Sequence, residues 1–419
     1  MNRLVYWIWL SLACTPDTAT FARLLESFDT AEEIYNAAEY ELRAAVGSKN
    51  SDCAALINKD LTRAEQIYKF CYTKGVGMLT YEDEEFPESL REIPTPPVML
   101  YYRGRLPDFN KTFRCAVVGN RALSEYGRNN AFKLGYDLAC AGITVVSGMA
   151  KGIDGVALAG ALAAGAATIA VIGSGIDVCY PPQHKRLAQE IVKLGCVFTE
   201  YAPGTKPERY NFPRRNRLIS GLCSVTVVVE GKESSGSLFT ARHAKAQGRA
   251  VYAFPGNVGN DGSQVTNLLI KNGAHLCTGA DDIVRDYEKI ALGIINPFNL
   301  KEKMPVNMVA TLTEYQVCAV ASTDDIFRTP IARKLPKKKE EREPAPLQTP
   351  LPSEPEELPT FSKEQLAVYK KIPASGECTI ESLVCEGYDL KKVMSLLLKL
   401  EMGRFVIMLP GDRVKRNLR

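Results

Sequence analysis

Along the first seventy residues the apolar side chains return at helical spacing. Phe21, Leu24, Leu25 and Phe28 form one set, Ile34, Ala37 and Ala38 a second, and Leu42 and Val46 a third. That three-to-four-residue period predicts short amphipathic helices, with Asp17 and Thr30 as caps between them. Residues 1–70 therefore read as a small all-helical module of the SAM or helix-hairpin-helix kind. Packing, or attachment of a partner, explains such a module better than contact with a DNA backbone does. Between 75 and 105 the period breaks at Pro87, Pro94, Pro96 and Pro97, and Val98-Met99-Leu100-Tyr101-Tyr102 reads as an edge strand.

From Arg114 onward short β-branched runs at 115–118, 144–146, 168–172, 196–199, 225–229 and 250–254 alternate with glycine-rich loops and helical segments near 126–141, 153–164 and 184–193. Continuously apolar strands alternating with helices imply an extended Rossmann-like α/β domain over 71–290, with a doubly wound, mostly parallel sheet. In such a sheet the loops after the strands share one edge, and ligands sit where the strand order reverses. Those loops here are Gly119-Asn120-Arg121, then Ser147-Gly148-Met149-Ala150-Lys151-Gly152-Ile153-Asp154, then Gly173-Ser174-Gly175. Glycines let backbone N–H groups close on a phosphate, although each glycine alone explains no more than a tight turn. The Gly173 loop continues as Ile176-Asp177-Val178 without the third glycine of a dinucleotide fingerprint, and no Gly-x-x-x-x-Gly-Lys-Ser/Thr loop occurs. No cofactor is expected.

Phe212-Pro213-Arg214-Arg215-Asn216-Arg217 packs three guanidinium groups into six residues, just before the apolar strand that ends at Glu230. This reads as a basic loop mounted on a buried strand. Arginine suits bidentate contact with phosphates and stacking on bases; Glu200, Glu208 and Glu230 are the competing ion-pair partners. One arginine is assigned to structure and the others to an anion. Ser235-Gly236-Ser237 reads as a helix cap and anion nest.

The chain has 419 residues, 46% apolar and 24% charged, and a net charge of +4. That length calls for several domains, and so small a charge does not by itself point to nucleic acid. Its 12 cysteines include no Cys-x-x-Cys pair, which fits a reducing cytoplasm. His184, His243 and His275 lie far apart, without metal-ligand spacing. The apolar run from Leu4 to Leu12 is too short to span a membrane and is followed by no cleavage signal.

Residues 291–360 read as a Pro/Lys-rich linker, with eight of the 24 prolines between 329 and 360. Residues 361–419 then carry three helical apolar sets and two strands around Pro410-Gly411, the order of a winged-helix domain. Its recognition helix would lie at 390–400, with Lys391, Lys392, Ser395 and Lys399 on the polar face.

Taken in register, Gly119-Asn120-Arg121, the 147–154 loop, Gly173-Ser174-Gly175-Ile176-Asp177 with Tyr180-Pro181, Phe212-Pro213-x-Arg215-Asn216-Arg217, Ser235-Gly236-Ser237 before Thr240-Ala241, and Pro255-Gly256 resemble the bacterial DNA-processing protein family DprA, also called Smf. The resemblance implies a non-enzymatic, homodimeric binder of single-stranded DNA that loads the RecA recombinase during DNA uptake or recombination. By position it implies that Arg121, Ser147, Gly148, Lys151, Gly173, Ser174, Gly175, Tyr180, His184, Arg215, Asn216 and Arg217 line the strand-binding pocket. The weakly charged segment 250–276 is a candidate dimer seam. Three positions depart from the family pattern: Asn120 for Ser or Thr, Leu158 for His, and Val265 for Gly, the last implying a reshaped loop near the pocket. Two other readings compete. One is a Rossmann-type nucleotide hydrolase using Ser147, Asp154, His184 and Glu230; the other is a duplex-binding regulator working through Lys391, Lys392 and Arg413.

Overall fold

β3 (Arg114–Gly119) is the strand on which the sheet is wound. Cys115 and Val117 point into one apolar layer, and Ala116 and Val118 into the other. All four are buried, as a parallel strand covered on both faces requires. In the computed structural model, which describes residues 2–232, 235–291, 293–296, 307–317, 368–373, 377–383, 393, 396–397, 400, 406–409 and 413–416, β3 pairs in parallel with β4 (Thr144–Ser147) on one side and β7 (Val225–Glu230) on the other. The β4 side continues through β5 (Thr168–Val171) to β6 (Cys196–Thr199), and the β7 side through β8 (Ala250–Ala253) to β9 (His275–Leu276). The chain thus steps outward from β3 to β6 and returns to lay β7 on the opposite flank. This reversal puts a crevice beyond the carboxyl ends of β3 and β7.

One face of the sheet is covered by α8 (Glu125–Cys140), α9 (Ile153–Ala163) and α10 (Lys185–Leu194), the other by α11 (Asn211–Gly221) and α12 (Gly236–Ala246). The segment expected as an edge strand, β2 (Met99–Gly104), instead lies inside the sheet. It pairs antiparallel with β6, and β1 (Gly77–Thr80) covers its other side. Four residues reading Gly-Met-Leu-Thr carry no alternation, so nothing in the pattern announced β1.

The helical module comprises α1 (Arg3–Ala13), α2 (Thr20–Leu25), α3 (Ala31–Asn36), α4 (Glu39–Val46), α5 (Cys53–Ile57) and α6 (Thr62–Lys74). Thr30 caps α3 as expected, its Oγ1 accepting from Glu33 N at 3.2 Å. Asp17 caps nothing: it sits at φ 60°, and its carboxylate accepts from Thr95 Oγ1 at 3.0 Å. The apolar run in α1 faces inward, with Trp7, Ile8 and Leu10 in the same layer as α8 and α9. Among the described residues no helix is long and apolar enough to cross a membrane.

Arg217 holds module and sheet together. Its guanidinium donates to both carboxylate oxygens of Glu200, at 2.6 and 2.7 Å, and from Nε to Thr95 O at 2.9 Å, with Asp17 3.6 Å away. Both partners of the Glu200 pair are buried. Burial alone would lower the Arg217 pKa, yet the Glu200 carboxylate raises it above its ordinary value.

Beyond α14 (Ala280–Tyr287), within the segment read as linker, α15 (Met308–Glu314) packs on α9 and buries Leu312, and Val317 just beyond the helix is buried as well. The proline-rich part of that segment lies outside the described residues. The described residues from 368 onward belong to a second compact unit. It contains β10 (Glu377–Thr379), β11 (Val406–Leu409) and β12 (Arg413–Arg416) in an antiparallel sheet of order β10-β12-β11, as well as an apolar cluster including Val368, Ile372, Val393, Leu397 and Val414. Lys391, Lys392, Ser395 and Lys399 of the expected recognition helix lie outside the described residues.

Glu200→Ala leaves the Arg217 charge buried without its carboxylate. Denaturant titration should then show a loss of about 3–5 kcal/mol; a loss below about 1 kcal/mol would mean that water reaches the guanidinium.

Candidate functional site

The loops that follow β3, β4, β5, β6 and β7 meet around a cleft of about 750 Å³ at the reversal of strand order. Asn120 and Arg121 come from the first, Ala150 from the second, and Tyr180 from the third. The fourth, with the start of α11, gives Arg209, Phe212, Arg215 and Asn216. Lys232, Ser235, Ser237 and Thr240 come from the last loop and the N-terminal turns of α12. A narrower recess shares Arg121, Ala150, Tyr180 and Phe212 and adds Gly148, Lys151, Gly173 and Pro181.

Phe212 is the floor of this arrangement. The Arg121 guanidinium lies 5.2 Å from its ring centre, and the Tyr180 ring lies 5.4 Å away at 38°. An aromatic face carrying a cation offers a stacking platform beside a phosphate partner. Arg121, Lys151 and Arg209 are exposed and open to a ligand, and the exposed Lys232 also donates to Asp261 Oδ2 at 3.2 Å, a solvent-exposed pair that contributes little and that a ligand can displace. Among the described lining residues Asp154 is the sole carboxylate, and it is occupied: it accepts from Gly148 N at 3.1 Å. Burial raises its pKa, and the nearby Arg215 charge opposes that rise.

Arg215 is a wall of the cleft, not an arm reaching into it. Its Nη1 donates to Gly148 O at 2.8 Å and also to Val171 O, and its Nε donates to Asn216 Oδ1 at 3.2 Å. It therefore joins the ends of β4 and β5. Burial lowers its pKa to about 10, so it stays cationic at neutral pH. A side chain at Gly148 would begin 2.6 Å from both Arg215 Nη2 and Asp154 Oδ2, which only glycine avoids.

Of the residues assigned to the pocket, the fold brings together Arg121, Gly148, Lys151, Gly173, Tyr180, Arg215 and Asn216. It places five elsewhere. Ser147 is buried and donates to Val117 O at 2.6 Å; Ser174 is buried and donates to Val178 O at 2.8 Å; the Gly175 amide is taken by Thr205 O at 2.9 Å. His184 is buried with Nδ1 2.9 Å from Met149 O, and Arg217 is held by Glu200. For Ser147, Ser174 and His184 the cause is that a polar side chain beyond a strand satisfies the neighbouring backbone before it faces a ligand. The basic segment is also not a loop: 212–217 form the first turns of α11. Successive helical residues are turned by 100°, so Phe212, Arg215, Asn216 and Ile219 share the cleft face while Arg217 points away. Phe212, Arg209, Lys232 and Thr240 line the cleft without having been assigned to it. Phe212 stood in the arginine run and could have been found as the aromatic partner of Tyr180.

The residues that departed from the family pattern have local roles. Asn120 Oδ1 accepts from Lys232 N at 3.1 Å. Leu158 is buried in α9. Val265 is buried against Gly231, beneath the loop that follows β7. The catalytic set imagined for a hydrolase does not assemble: Ser147, Asp154 and His184 bond to backbone, and Glu230 accepts from Ser124 N and Oγ at 3.1 and 3.2 Å. Among the described residues no group of three His, Cys, Asp or Glu lies close enough to hold a metal ion.

The family model for DNA recombination-mediator protein A matches residues 77–288, which include every strand of the large sheet. DNA processing protein DprA of Streptococcus pneumoniae is 43% identical over 206 residues, covering 49% of this chain and 72% of that protein. Protein Smf of Synechocystis is 32% identical over 295 residues, covering 68% of this chain and 73% of that one. The X-ray structure of the Streptococcus pneumoniae protein superposes with a TM-score of 0.59 at 34% identity, over 68% of this chain and 98% of that chain.

Arg215→Ala should destabilise the fold by about 3 kcal/mol or more, because two strand-end carbonyls lose a charged donor. Arg121→Ala should change stability by less than about 0.5 kcal/mol. Urea titrations of the two variants check this, and equal losses would contradict the division into wall and surface cation. Burial also lowers the His184 pKa, overriding its contacts with the Met149 and Val317 carbonyls. A depressed histidine contributes stability that is present above its unfolded pKa of about 6.5 and is lost as pH falls below it. Stability measured from pH 7.5 to 5 should therefore fall less steeply in His184→Gln than in the parent chain.

Proposed function

The chain belongs to the DNA recombination-mediator protein A family, and from that premise we propose that its cleft holds single-stranded DNA without cleaving it and that the protein hands the strand to the RecA recombinase. The observation that carries this reading is Phe212, half-buried beneath Arg121 and beside Tyr180 on the floor of a cleft whose exposed charges, among the described lining residues, are all cationic. A base can lie on that ring only when its own face is free of a stacked neighbour, which favours an unpaired strand over a duplex. Stacking of this kind ignores sequence and contributes about 1–3 kcal/mol per base. Arg121, Arg209, Lys232 and Lys151 would meet phosphates.

Two copies would join along the sheet edge that β9 leaves open. Leu276 on β9 is exposed, as is Leu268 on α13 (Gln264–Lys271), both within or beside the segment 250–276. Pairing two such edges buries apolar side chains and satisfies free backbone groups together. The described cysteines are all free, which supports placing the protein in the cytoplasm.

A labelled 15-nucleotide strand should bind more tightly than the corresponding duplex. The double variant Arg121→Ala, Arg209→Ala should bind it with a salt slope shallower by about 1.4, two contacts at about 0.7 each. Phe212→Ala should weaken binding roughly 5- to 150-fold with the slope nearly unchanged. Tighter binding of duplex, or an unchanged slope in the double variant, would sink the assignment. In sedimentation Leu276→Asp should convert a dimer into monomers; a variant that remains dimeric would move the seam elsewhere.

A further inference from the structure

His184 was expected to touch the ligand, and the fold instead buries it behind the cleft. It ends the turn Pro182–His184, which follows Tyr180 on the loop after β5. Its Nδ1 lies 2.9 Å from Met149 O, and the ring also meets the backbone carbonyl of Val317, the last residue described after α15. Gly155 of α9 makes room for this contact: a side chain there would begin 2.7 Å from His184 Cε1 and 2.9 Å from Val317 Cγ1. One imidazole therefore touches the loop after β4, the loop after β5, and a segment far along the chain.

The Met149 carbonyl is not an arbitrary anchor. Met149 has φ 53°, a left-handed conformation that a side-chain-bearing residue holds only when its surroundings impose it. It lies between Gly148, whose carbonyl is fixed by Arg215, and Ala150 and Lys151, which line the cleft and its recess. Arg215 pins the first residue of this loop and His184 the second. What keeps the imidazole dry and oriented is the strap 307–317: Leu312 and Val317 are buried against α9, and Glu314 pairs with Arg186 at 2.8 Å. The exposed Glu314–Arg186 pair adds little, so the seat is mainly apolar.

We propose that residues 307–317 form a strap that positions the cleft loop 148–151 through His184, so that seating of the strap and binding of a strand at the cleft reinforce one another. This rests on the reading of the cleft as a single-strand site. The physical link is continuous: apolar burial of Leu312 and Val317 excludes water from His184. In that dry setting the bond to Met149 O is stronger than in water. That bond holds Met149 in its left-handed turn, and the turn sets where the Lys151 ammonium and the Gly148 backbone lie. His184 is thus a positioning residue and touches no ligand. Coupling of this kind is reciprocal, so a strand bound at the cleft must also steady the strap.

The test uses the full chain and an unlabelled or labelled 15-nucleotide thymidine strand. Leu312→Asp, which unseats the strap, should weaken binding roughly tenfold, within the 5- to 150-fold range usual for such couplings. His184→Ala should weaken it comparably. The double variant should be no weaker than either single one in binding. Independent damage at two unconnected sites would instead make the losses of affinity additive. In hydrogen exchange on the parent chain the strand should slow amide exchange at 308–317, and His184→Ala should abolish that slowing. Unchanged affinity in Leu312→Asp with the strap amides freely exchanging, or additive losses of affinity, overturns the inference. Failure of the parent chain to bind the strand at all would instead overturn the single-strand reading beneath it.

Discussion

The cleft depends on one buried cation. The carboxyl ends of parallel strands present carbonyl oxygens toward the crevice, a lining hostile to an anion unless something neutralises it. Arg215 does this by donating to the carbonyls beyond β4 and at the end of β5, Gly148 O and Val171 O, while standing near the buried Asp154. With those oxygens occupied, the mouth of the crevice is left to exposed cations, aromatic rings and the N-terminal turns of α12. The cost is a guanidinium out of water, which burial expresses as a pKa near 10 and which only an unbroken set of acceptors sustains.

Helical geometry then sorts the arginines by task. Within α11, residues 212, 215, 216 and 219 face the cleft, and Arg217, two positions beyond Arg215, faces the Glu200 carboxylate and the helical module. Two buried arginines on one helix thus anchor opposite sides of it, one forming a wall of the site and one fastening the N-terminal module to the sheet. Neither is free to reach a ligand. The cations that can do so, Arg121, Lys151, Arg209 and Lys232, come from four different loops, so their spacing is set by the sheet and not by any one segment.

Much of the fold was legible in the chain. β-branched runs such as Val225-Thr226-Val227-Val228-Val229 have one plausible setting, a strand covered on both faces, and the six runs read that way became β3 to β8. β1 and β9 were invisible because four and two residues carry no period. The site was legible in outline, because glycine loops after strands mark the ligand edge, but not in detail. Ser147, Ser174 and His184 look like ligand groups in sequence, whereas each is consumed by a backbone carbonyl that only the tertiary structure brings near. Phe212 was overlooked because its worth comes from Arg121 and Tyr180, 91 and 32 positions earlier in the chain.

Phe212→Trp places a fluorophore at the floor of the cleft, with Trp7 and Trp9 buried in the helical module as an unresponsive background. Titration with an unpaired thymidine strand should quench the added emission in step with binding, because a stacked base lies directly on the indole, and the matching duplex should leave it bright. Binding of the strand without quenching, or equal quenching by duplex, would contradict the claim that an unpaired base rests at residue 212.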